Sequence, residues 1–583
     1  MQVLSEGVAA KIRDGFADYH ARFAAITRRA RTRFETRDAA GMRADLVERI
    51  GLYDVCVSQT QQWLERVLGA HAQDRALWAR IRDAYAHAVA DLLDQELYKT
   101  WYNTLTRRFF RTLGVDPAIE FVALDIEPTD HITHPVARHS YAVQGNLATV
   151  FARVLQGYRF SVPWAHPARC ADAMARVVRE RFTHWSASQF VQIELLETVF
   201  YREQRAYLVG RAFGEYRHTP LVIALESGPD GLFVDALLTD RDHIAQLFGY
   251  TRSHFFADLP TVGDAVVFLR SLLPHKPVDE LYTVLGRAKQ GKTERYRAFF
   301  RHLTQRPDEQ FVHADGERGM VMLVFTLPSW PLVFKLIRDR FAYPKETARE
   351  EVMAKYRIVS HHDRAGRLVD AQEFRHLRFP RRQFAPELLE ELMTSCASSV
   401  QAEGEDIVIA HCYVERRLRP LNLYLKEVPA EDAMRAVIDY GQAIRDLARS
   451  DIFPGDLLLK NFGVTRNHRA IFYDYDELAL VRDCRFKRLP QARNDEDEMR
   501  HGAWFYVDPS DVFPEEFPRF LGLAPEQHEA LLRAHGDIFD VDWWLALQDS
   551  LRRGEAEEVM PYPDSVRLIA GPAAHRAGAS AAG

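Results

Sequence analysis

Apolar residues recur at three- and four-residue spacing along most of the first 115 positions, as amphipathic helices require, with Asp74–Leu97 a long example. A short extended run, Phe121–Ile126, follows, and residues 173–200 return to helical spacing. Ala206–Ala212 and Leu221–Leu225 read instead as strands. Gly228-Pro229-Asp230-Gly231 is a strong turn signal, and the apolar run Leu232–Leu238 behind it predicts a hairpin. Residues 240–305 are helical in pattern.

The character changes near residue 310. Phe311–His313 and Gly319–Leu327 read as strands around Asp315-Gly316, and Ser329-Trp330-Pro331 turns the chain into a third, Leu332–Ile337. A helix is predicted from Lys345 to Ser360, carrying Glu346, Glu350 and Glu351. The extended run Asp406–Tyr413 comes next, then mostly helix, interrupted by a loop at Phe453–Asn461 and a strand at Ala470–Tyr475. A strand-rich lobe followed by a helical lobe is the order of a protein-kinase-like fold. The expected class is α+β. A mainly helical domain with a small β-hairpin spans residues 1–308, and a bilobal kinase-like domain spans 309–570. The Ala/Gly-rich tail 571–583 is expected to be disordered.

A chain of 583 residues exceeds one hydrophobic core, which agrees with two or more domains. Lys and Arg number 76 against 82 Asp and Glu, so wholesale nucleic-acid binding is not expected. The local exception, Arg28, Arg29, Arg31 and Arg33, reads as the solvated face of a helix. Five scattered cysteines without a C-x-x-C pair fit a reducing cytosol, and neither a disulfide framework nor a zinc site. No run of about 18 apolar residues predicts a membrane span. The N-terminus lacks the basic-then-apolar pattern of a secretory signal, so a cytoplasmic protein is expected.

Four stretches carry candidate chemistry. Gly316 and Gly319 stand between two predicted strands in His313-Ala-Asp-Gly-Glu-Arg-Gly-Met320. Glycines there let backbone N–H groups approach phosphates, though Ala314 replaces the first glycine of the kinase pattern and a plain hairpin turn is the alternative. Lys335 lies within the apolar run Leu-Val-Phe-Lys-Leu-Ile. Burying it is costly unless it is paired, and Glu346, Glu350 or Glu351 on the next predicted helix could supply the pairing carboxylate. A lysine snorkelling from an edge strand is the alternative.

Phe453-Pro-Gly-Asp456-Leu-Leu-Leu-Lys460-Asn461 keeps the Asp-to-Asn spacing of the kinase catalytic loop, with Pro-Gly in place of His-Arg. In that pattern Asp456 accepts the substrate hydroxyl proton and Asn461 holds the metal. Asp474 follows thirteen residues later, where kinases place a second metal-binding Asp. On a strand, Asp474 and Asp476 would share a face suited to a hard cation. The fourth stretch, Gly286-Arg-Ala-Lys-Gln-Gly291-Lys292-Thr293, matches a P-loop. It has neither the strand before nor the apolar-faced helix after that a P-loop needs, and reads as a junction between helices.

The chain resembles the isocitrate dehydrogenase kinase/phosphatase family in several stretches. They are Phe334-Lys-Leu-Ile-Arg-Asp-Arg-Phe341, Gly366-Arg-Leu-Val-Asp370-Ala-Gln-Glu-Phe374, Phe453-Pro-Gly-Asp through Thr465, Tyr473-Asp-Tyr-Asp-Glu477 and Asp511-Val-Phe-Pro-Glu-Glu-Phe517. The resemblance covers nearly the whole chain. It implies a helical N-terminal regulatory domain and a serine of NADP-dependent isocitrate dehydrogenase as the protein substrate. It also implies kinase and phosphatase reactions at one ATP site with Mg²⁺ or Mn²⁺, and AMP as an allosteric effector near the junction with the regulatory domain.

Carried over by position, the ATP loop is Ala314, Asp315, Gly316, Glu317, Arg318, Gly319 and Met320. The phosphate lysine is Lys335, Val414 and Glu415 meet adenine, Asp456 is the kinase base, and Asn461 and Asp474 are metal ligands. Asp370 matches the family's active-site Asp, tied to the phosphatase reaction. Its own context, Asp before Ala-Gln-Glu, also reads as a helix N-cap. Two other readings stand beside this one: a small-molecule phosphotransferase resembling the aminoglycoside kinases, and a nucleotide-binding pseudokinase scaffold. The expected partners are isocitrate dehydrogenase and ATP, ADP or AMP, with no membrane and no nucleic acid; a homodimer is left open.

Overall fold

Helical spacing in the first hundred residues builds α1 (Gln2–Glu35), α2 (Ala39–Leu68), α3 (Arg75–Val89) and α4 (Gln95–Phe109). Their apolar faces meet around aromatic rings. Tyr19 and Trp101 stack with centroids 5.8 Å apart, and Tyr53 meets Trp101 edge-on at 5.2 Å. The stretch Asp74–Leu97 is two helices, not one. Asp94 takes a left-handed conformation (φ 53°), and its carboxylate accepts from the backbone N–H groups of Val262 and Gly263 at 2.6 and 2.8 Å. A tertiary bond thus breaks a run whose periodicity alone would have continued it. The Arg-rich stretch is a paired, solvated helix face. Arg29 and Arg33 share Asp45, Arg31 bonds Glu35, and Arg28 bonds Asp258.

This chain was described by a computed structural model, over residues 2–122, 135–182, 190–249, 254–341, 347–362, 364–490, 506–508, 510–555 and 559–568. The rest of the Phe121–Ile126 run beyond Val122, Glu346 and the 571–583 tail lie outside them. Two compact units result. One comprises residues 1–301 and 562–583, the other 302–561. The division differs from the 309–570 span read from sequence. The chain from Tyr562 adds to the first unit, where the Tyr562 hydroxyl and Arg567 both bond the fully buried Asp235.

The first unit corrects the expectation of a small hairpin. It holds a six-stranded antiparallel sheet of β1 (Arg138–Ala142), β2 (Phe190–Leu196), β3 (Phe200–Arg202), β4 (Arg205–Gly214), β5 (His218–Gly228) and β6 (Gly231–Leu238). The expected hairpin is β5–β6, closing at Gly228 and Gly231. The helical reading of 173–200 holds only to Arg181, since 190–196 is a strand between β1 and β4. Pairing of that kind depends on partners far along the chain, which local periodicity does not carry.

The helices α5 (Leu147–Gly157), α6 (Pro167–Arg181), α7 (Arg241–Leu247), α8 (Val262–Leu272), α9 (Val278–Val284) and α10 (Ala288–Gln305) come between β1 and the strands of the second unit. The second unit's first strands are β7 (Val312–His313), β8 (Met322–Thr326) and β9 (Leu332–Ile337), the three strands read from sequence. After α11 (Arg349–His362) come β10 (Gln372–Pro380), α12 (Pro386–Ser395), β11 (Val400–Glu403) and β12 (Asp406–Arg416). They complete a sheet in the order β10-β12-β9-β8-β7, with β11 on β12. A helical lobe follows. It contains α13 (Leu421–Glu427), α14 (Ala430–Arg449), a short pairing of β14 (Ile452–Phe453), and the hairpin β15 (Phe462–Val464)–β16 (Ala470–Phe472). Tyr440, Ile444 and Leu447 of α14 bury against Phe462 and Phe472 of this hairpin, so the lobe's core supports the loop between β14 and β15.

Candidate active site

Lys335 stands in the middle of β9, where every residue is buried. A charge there needs a partner, and the partner is Glu415 of β12, 2.8 Å away and 1% exposed. The lysine also donates to the Tyr473 carbonyl at 2.7 Å. This corrects the expectation of a partner on the following helix. Glu351 instead accepts from Thr347 and from the Ala348 N–H at the start of α11, and Glu350 is exposed. The carboxylate of Glu415 is thereby bonded to Lys335, and Val414 beside it is buried opposite Phe334. The sequence held a signal for this pair. Glu415 follows the apolar run Cys412-Tyr413-Val414 in β12, so two opposite charges beside apolar strand residues were there to be matched. Removing either partner leaves the other charge buried, at a cost of about 3–5 kcal/mol.

The loop Ala314–Met320 joins β7 to β8. Gly316 adopts φ +115°, which side chains beyond glycine rarely take. The loop is pinned at several points. Ala314 N–H donates to the Val324 carbonyl, Asp315 pairs with Arg419 at 2.7 Å, and Arg318 pairs with Glu391 at 3.3 Å. Arg338 donates to the Gly319 carbonyl, and Met320 is exposed. Glu317 reaches Lys460 at 2.9 Å, which brings this loop to the Asp456–Asn461 loop. The kinase motif leaves the position of Lys460 variable, so the pattern by itself gives this lysine no role.

Asp456 follows Gly455, whose φ of +82° and close approach to Glu477 exclude a side chain; a Cβ there would lie 2.7 Å from the Glu477 carbonyl. One carboxylate oxygen of Asp456 accepts from the Leu458 N–H at 2.9 Å, which fixes its orientation. Burial raises the Asp456 pKa from the ordinary aspartate value and nearby Glu477 adds to this, against the Leu458 bond. Asn461 donates its amide to the Asp456 carbonyl at 3.2 Å, leaving Oδ1 as the acceptor end of that amide. The β15–β16 hairpin then places Tyr473 across from Asn461, with the Tyr473 N–H on the Asn461 carbonyl, so Asp474 is next in line.

Asp474 and Asp476 do not share a strand face as expected, since β16 ends at Phe472 and both residues stand on an irregular segment. Among the described residues no three His, Cys, Asp or Glu side chains form a metal cluster. The all-oxygen pair Asn461 Oδ1 and Asp474 still fits a hard cation that completes its shell with water and phosphate oxygens.

Asp370 caps no helix. It precedes β10, and its carboxylate accepts from the Gln372 amide at 2.7 Å. The N-cap reading failed because Ala-Gln-Glu enters a strand whose partner, β12, lies some forty residues on. The segment before it runs parallel to the end of β16 through a bridge between Leu368 and Phe472, two residues short of Asp370 and of Asp474. Arg367 anchors the segment, with its buried guanidinium on Asp439 and Asp446 of α14 at 2.7 and 2.8 Å. A chain of hydrogen bonds links Lys335 to the Tyr473 carbonyl, the Tyr473 N–H to Asn461 and the Asn461 amide to Asp456, with Asp474 next to Tyr473 and Val369, beside Asp370, bonded to Tyr475. The P-loop-like stretch follows one helix and runs into another, without the strand-to-helix turn of a P-loop. Gly291 lies inside the helix Ala288–Gln305, and Thr293 bonds the Lys289 carbonyl one turn back.

Comparison with known proteins places both domains of the chain. Residues 9–307 match the regulatory-domain model of isocitrate dehydrogenase kinase/phosphatase (AceK), and residues 309–564 match its kinase-domain model. The chain belongs to the isocitrate dehydrogenase kinase/phosphatase family. The isocitrate dehydrogenase kinase/phosphatase of Xanthomonas euvesicatoria pv. vesicatoria is 58% identical over 562 residues, covering 96% of this chain and 97% of that protein. The Xanthomonas campestris pv. campestris relative is 59% identical over 95% of this chain and 96% of its own length. That of Anaeromyxobacter dehalogenans is 45% identical over 97% of this chain and 98% of that protein. Membership in this kinase/phosphatase family across both domains fits the kinase-like reading and not a small-molecule phosphotransferase. No described helix is long and apolar enough to cross a membrane.

Proposed function

We propose that this chain phosphorylates and dephosphorylates a serine of isocitrate dehydrogenase, using one nucleotide site for both reactions. The observation that carries the reading is the chain of hydrogen bonds linking Lys335, Asn461 and Asp456 through Tyr473, the neighbour of Asp474, with the segment that leads to Asp370, a carboxylate outside the kinase set, bridged to the end of β16. Phosphoryl transfer asks the protein mainly for positioning and electrostatics. In this reading the 314–320 loop and Lys335 hold ATP phosphates, and Asp456, fixed by Leu458, takes the serine proton. Asn461 and Asp474 would hold Mg²⁺ or Mn²⁺, which when bound neutralises charge on the transferring phosphate. Asp370, held by Gln372, orients the water that attacks phosphoserine.

A phosphate on a substrate-binding serine adds roughly −1.5 to −2 charges and repels a tricarboxylate substrate. The switch would divide isocitrate between the citric acid cycle and the glyoxylate bypass, in the cytoplasm, with AMP as the effector.

The test is incubation with labelled ATP and purified isocitrate dehydrogenase, followed by phosphate release from the labelled product. Label on a serine of isocitrate dehydrogenase, removable by the same preparation, is expected. Label appearing only on free metabolites, or on nothing, refutes the reading. The nucleotide assignment has its own check. Lys335→Met should weaken binding of a fluorescent ATP analogue by at least about tenfold, ~1.4 kcal/mol. Lys292→Ala should change it by less than about twofold, well under that threshold. The reverse result would move the nucleotide to the P-loop-like stretch.

A further inference from the structure

One buried side chain between the two candidate metal-side carboxylates takes no part in the chemistry just described. Tyr475 follows Asp474 and precedes Asp476, and it is fully buried. Its ring packs edge-on against Tyr356 at 5.2 Å and tilted against Phe472 at 5.8 Å. Its hydroxyl accepts from the Val369 N–H at 2.7 Å and donates to the Val369 carbonyl at 2.8 Å, with the Phe472 carbonyl at 3.2 Å as an alternative acceptor. One hydroxyl therefore engages both polar groups of the residue that immediately precedes Asp370.

We propose that Tyr475 is a positioning residue for the hydrolytic reaction. It clamps the Val369 peptide and thereby fixes Asp370 in register with Asp474. The inference rests on the reading of Asp370 as the residue that orients water. Its physical basis is the geometry of the span. Arg367 is anchored upstream on Asp439 and Asp446, and Gln372 is anchored downstream in β10 opposite Val414. Asp370 stands between these anchors, and the Tyr475 hydroxyl grips the chain one residue before it.

The kinase set is held by other bonds. Asp456 is oriented by the Leu458 N–H, Asn461 by the Asp456 carbonyl, and Asp474 follows the Tyr473–Asn461 backbone bond. None of these uses the Tyr475 hydroxyl. Losing the hydroxyl while keeping the ring leaves the hydrophobic packing in place, takes this donor from the Val369 C=O, and leaves the Val369 N–H only its longer bond to the Phe472 carbonyl at 3.4 Å. A shift of about 1 Å in a group that orients a nucleophile can cost on the order of 10²-fold in rate.

The experiment compares Tyr475→Phe and Asp370→Asn with the unmodified full-length chain. Phosphate release from phosphorylated isocitrate dehydrogenase and forward phosphorylation are measured on the same preparations. Tyr475→Phe is expected to lower kcat for phosphate release by about 10- to 100-fold. KM for the phosphorylated protein should stay within about twofold and forward phosphorylation within about threefold, small beside that loss. Hydrogen exchange at the Val369 amide should quicken in the same variant. A general weakening of the fold would lower both activities together; equal loss, or loss of neither, overturns the clamp. If Asp370→Asn is selective for hydrolysis and Tyr475→Phe is not, the clamp alone falls. If Asp370→Asn lowers both activities equally, the reading of Asp370 falls and the clamp falls with it.

Discussion

Asp456→Ala is expected to lower phosphorylation of isocitrate dehydrogenase by about 10²–10⁴-fold, the usual worth of a positioned general base. Nucleotide affinity should change little, because Lys335 and the 314–320 loop, on the other lobe, carry the phosphates in the proposed site. The structure makes this variant informative. Asp456 uses one oxygen to accept from the Leu458 N–H, so its orientation is set before substrate arrives. The Asn461 amide bonds the Asp456 main-chain carbonyl, which alanine keeps. The loop should therefore hold its shape, and lost activity can be assigned to the carboxylate. Measurement is the initial rate of labelled phosphate incorporation beside a fluorescent-nucleotide titration. A variant that keeps more than half the normal rate refutes the assignment.

Asp370→Ala should abolish most phosphate release from phosphorylated isocitrate dehydrogenase, again by about 10²–10⁴-fold, while forward phosphorylation persists. The helix-cap role suggested by its sequence context is gone, since the residue leads into β10. What remains is a half-buried carboxylate held by Gln372, on a segment bridged to the end of β16. That placement suits a group acting on the same phosphate from outside the kinase set. Asn461→Ala provides the contrast, because a shared cation would make it lower both reactions. Proportional loss of both activities in Asp370→Ala would leave the residue a structural role only.

Much of the candidate site was legible because its residues announce themselves locally. The Asp456-to-Asn461 spacing, the following Asp474 and a lysine inside an apolar strand are short patterns with fixed chemical meaning. The β5–β6 hairpin was equally plain, since its turn residues sit in sequence beside the strands they join. Asp370 is different. No local pattern singled it out, and only resemblance to the family did.

The sequence by itself determined the order of lobes, the three leading strands of the second unit and the residue types of the catalytic loop. Each follows from periodicity, turn chemistry or motif spacing within a few residues. Tertiary structure alone decided what pairs across distance. Glu415, not a helix carboxylate, neutralises Lys335, because β9 and β12 are neighbours in the sheet although about eighty residues separate them in sequence. Residues 190–196 became a strand because β1 and β4 flank them. Asp94 broke a helix to bond the backbone at Val262 and Gly263, and the segment ending in Asp370 lay down beside β16 under the Tyr475 hydroxyl. In every case a buried charge or backbone group had to find its partner. That partner was fixed by which surfaces the fold brings together, information that local sequence does not hold.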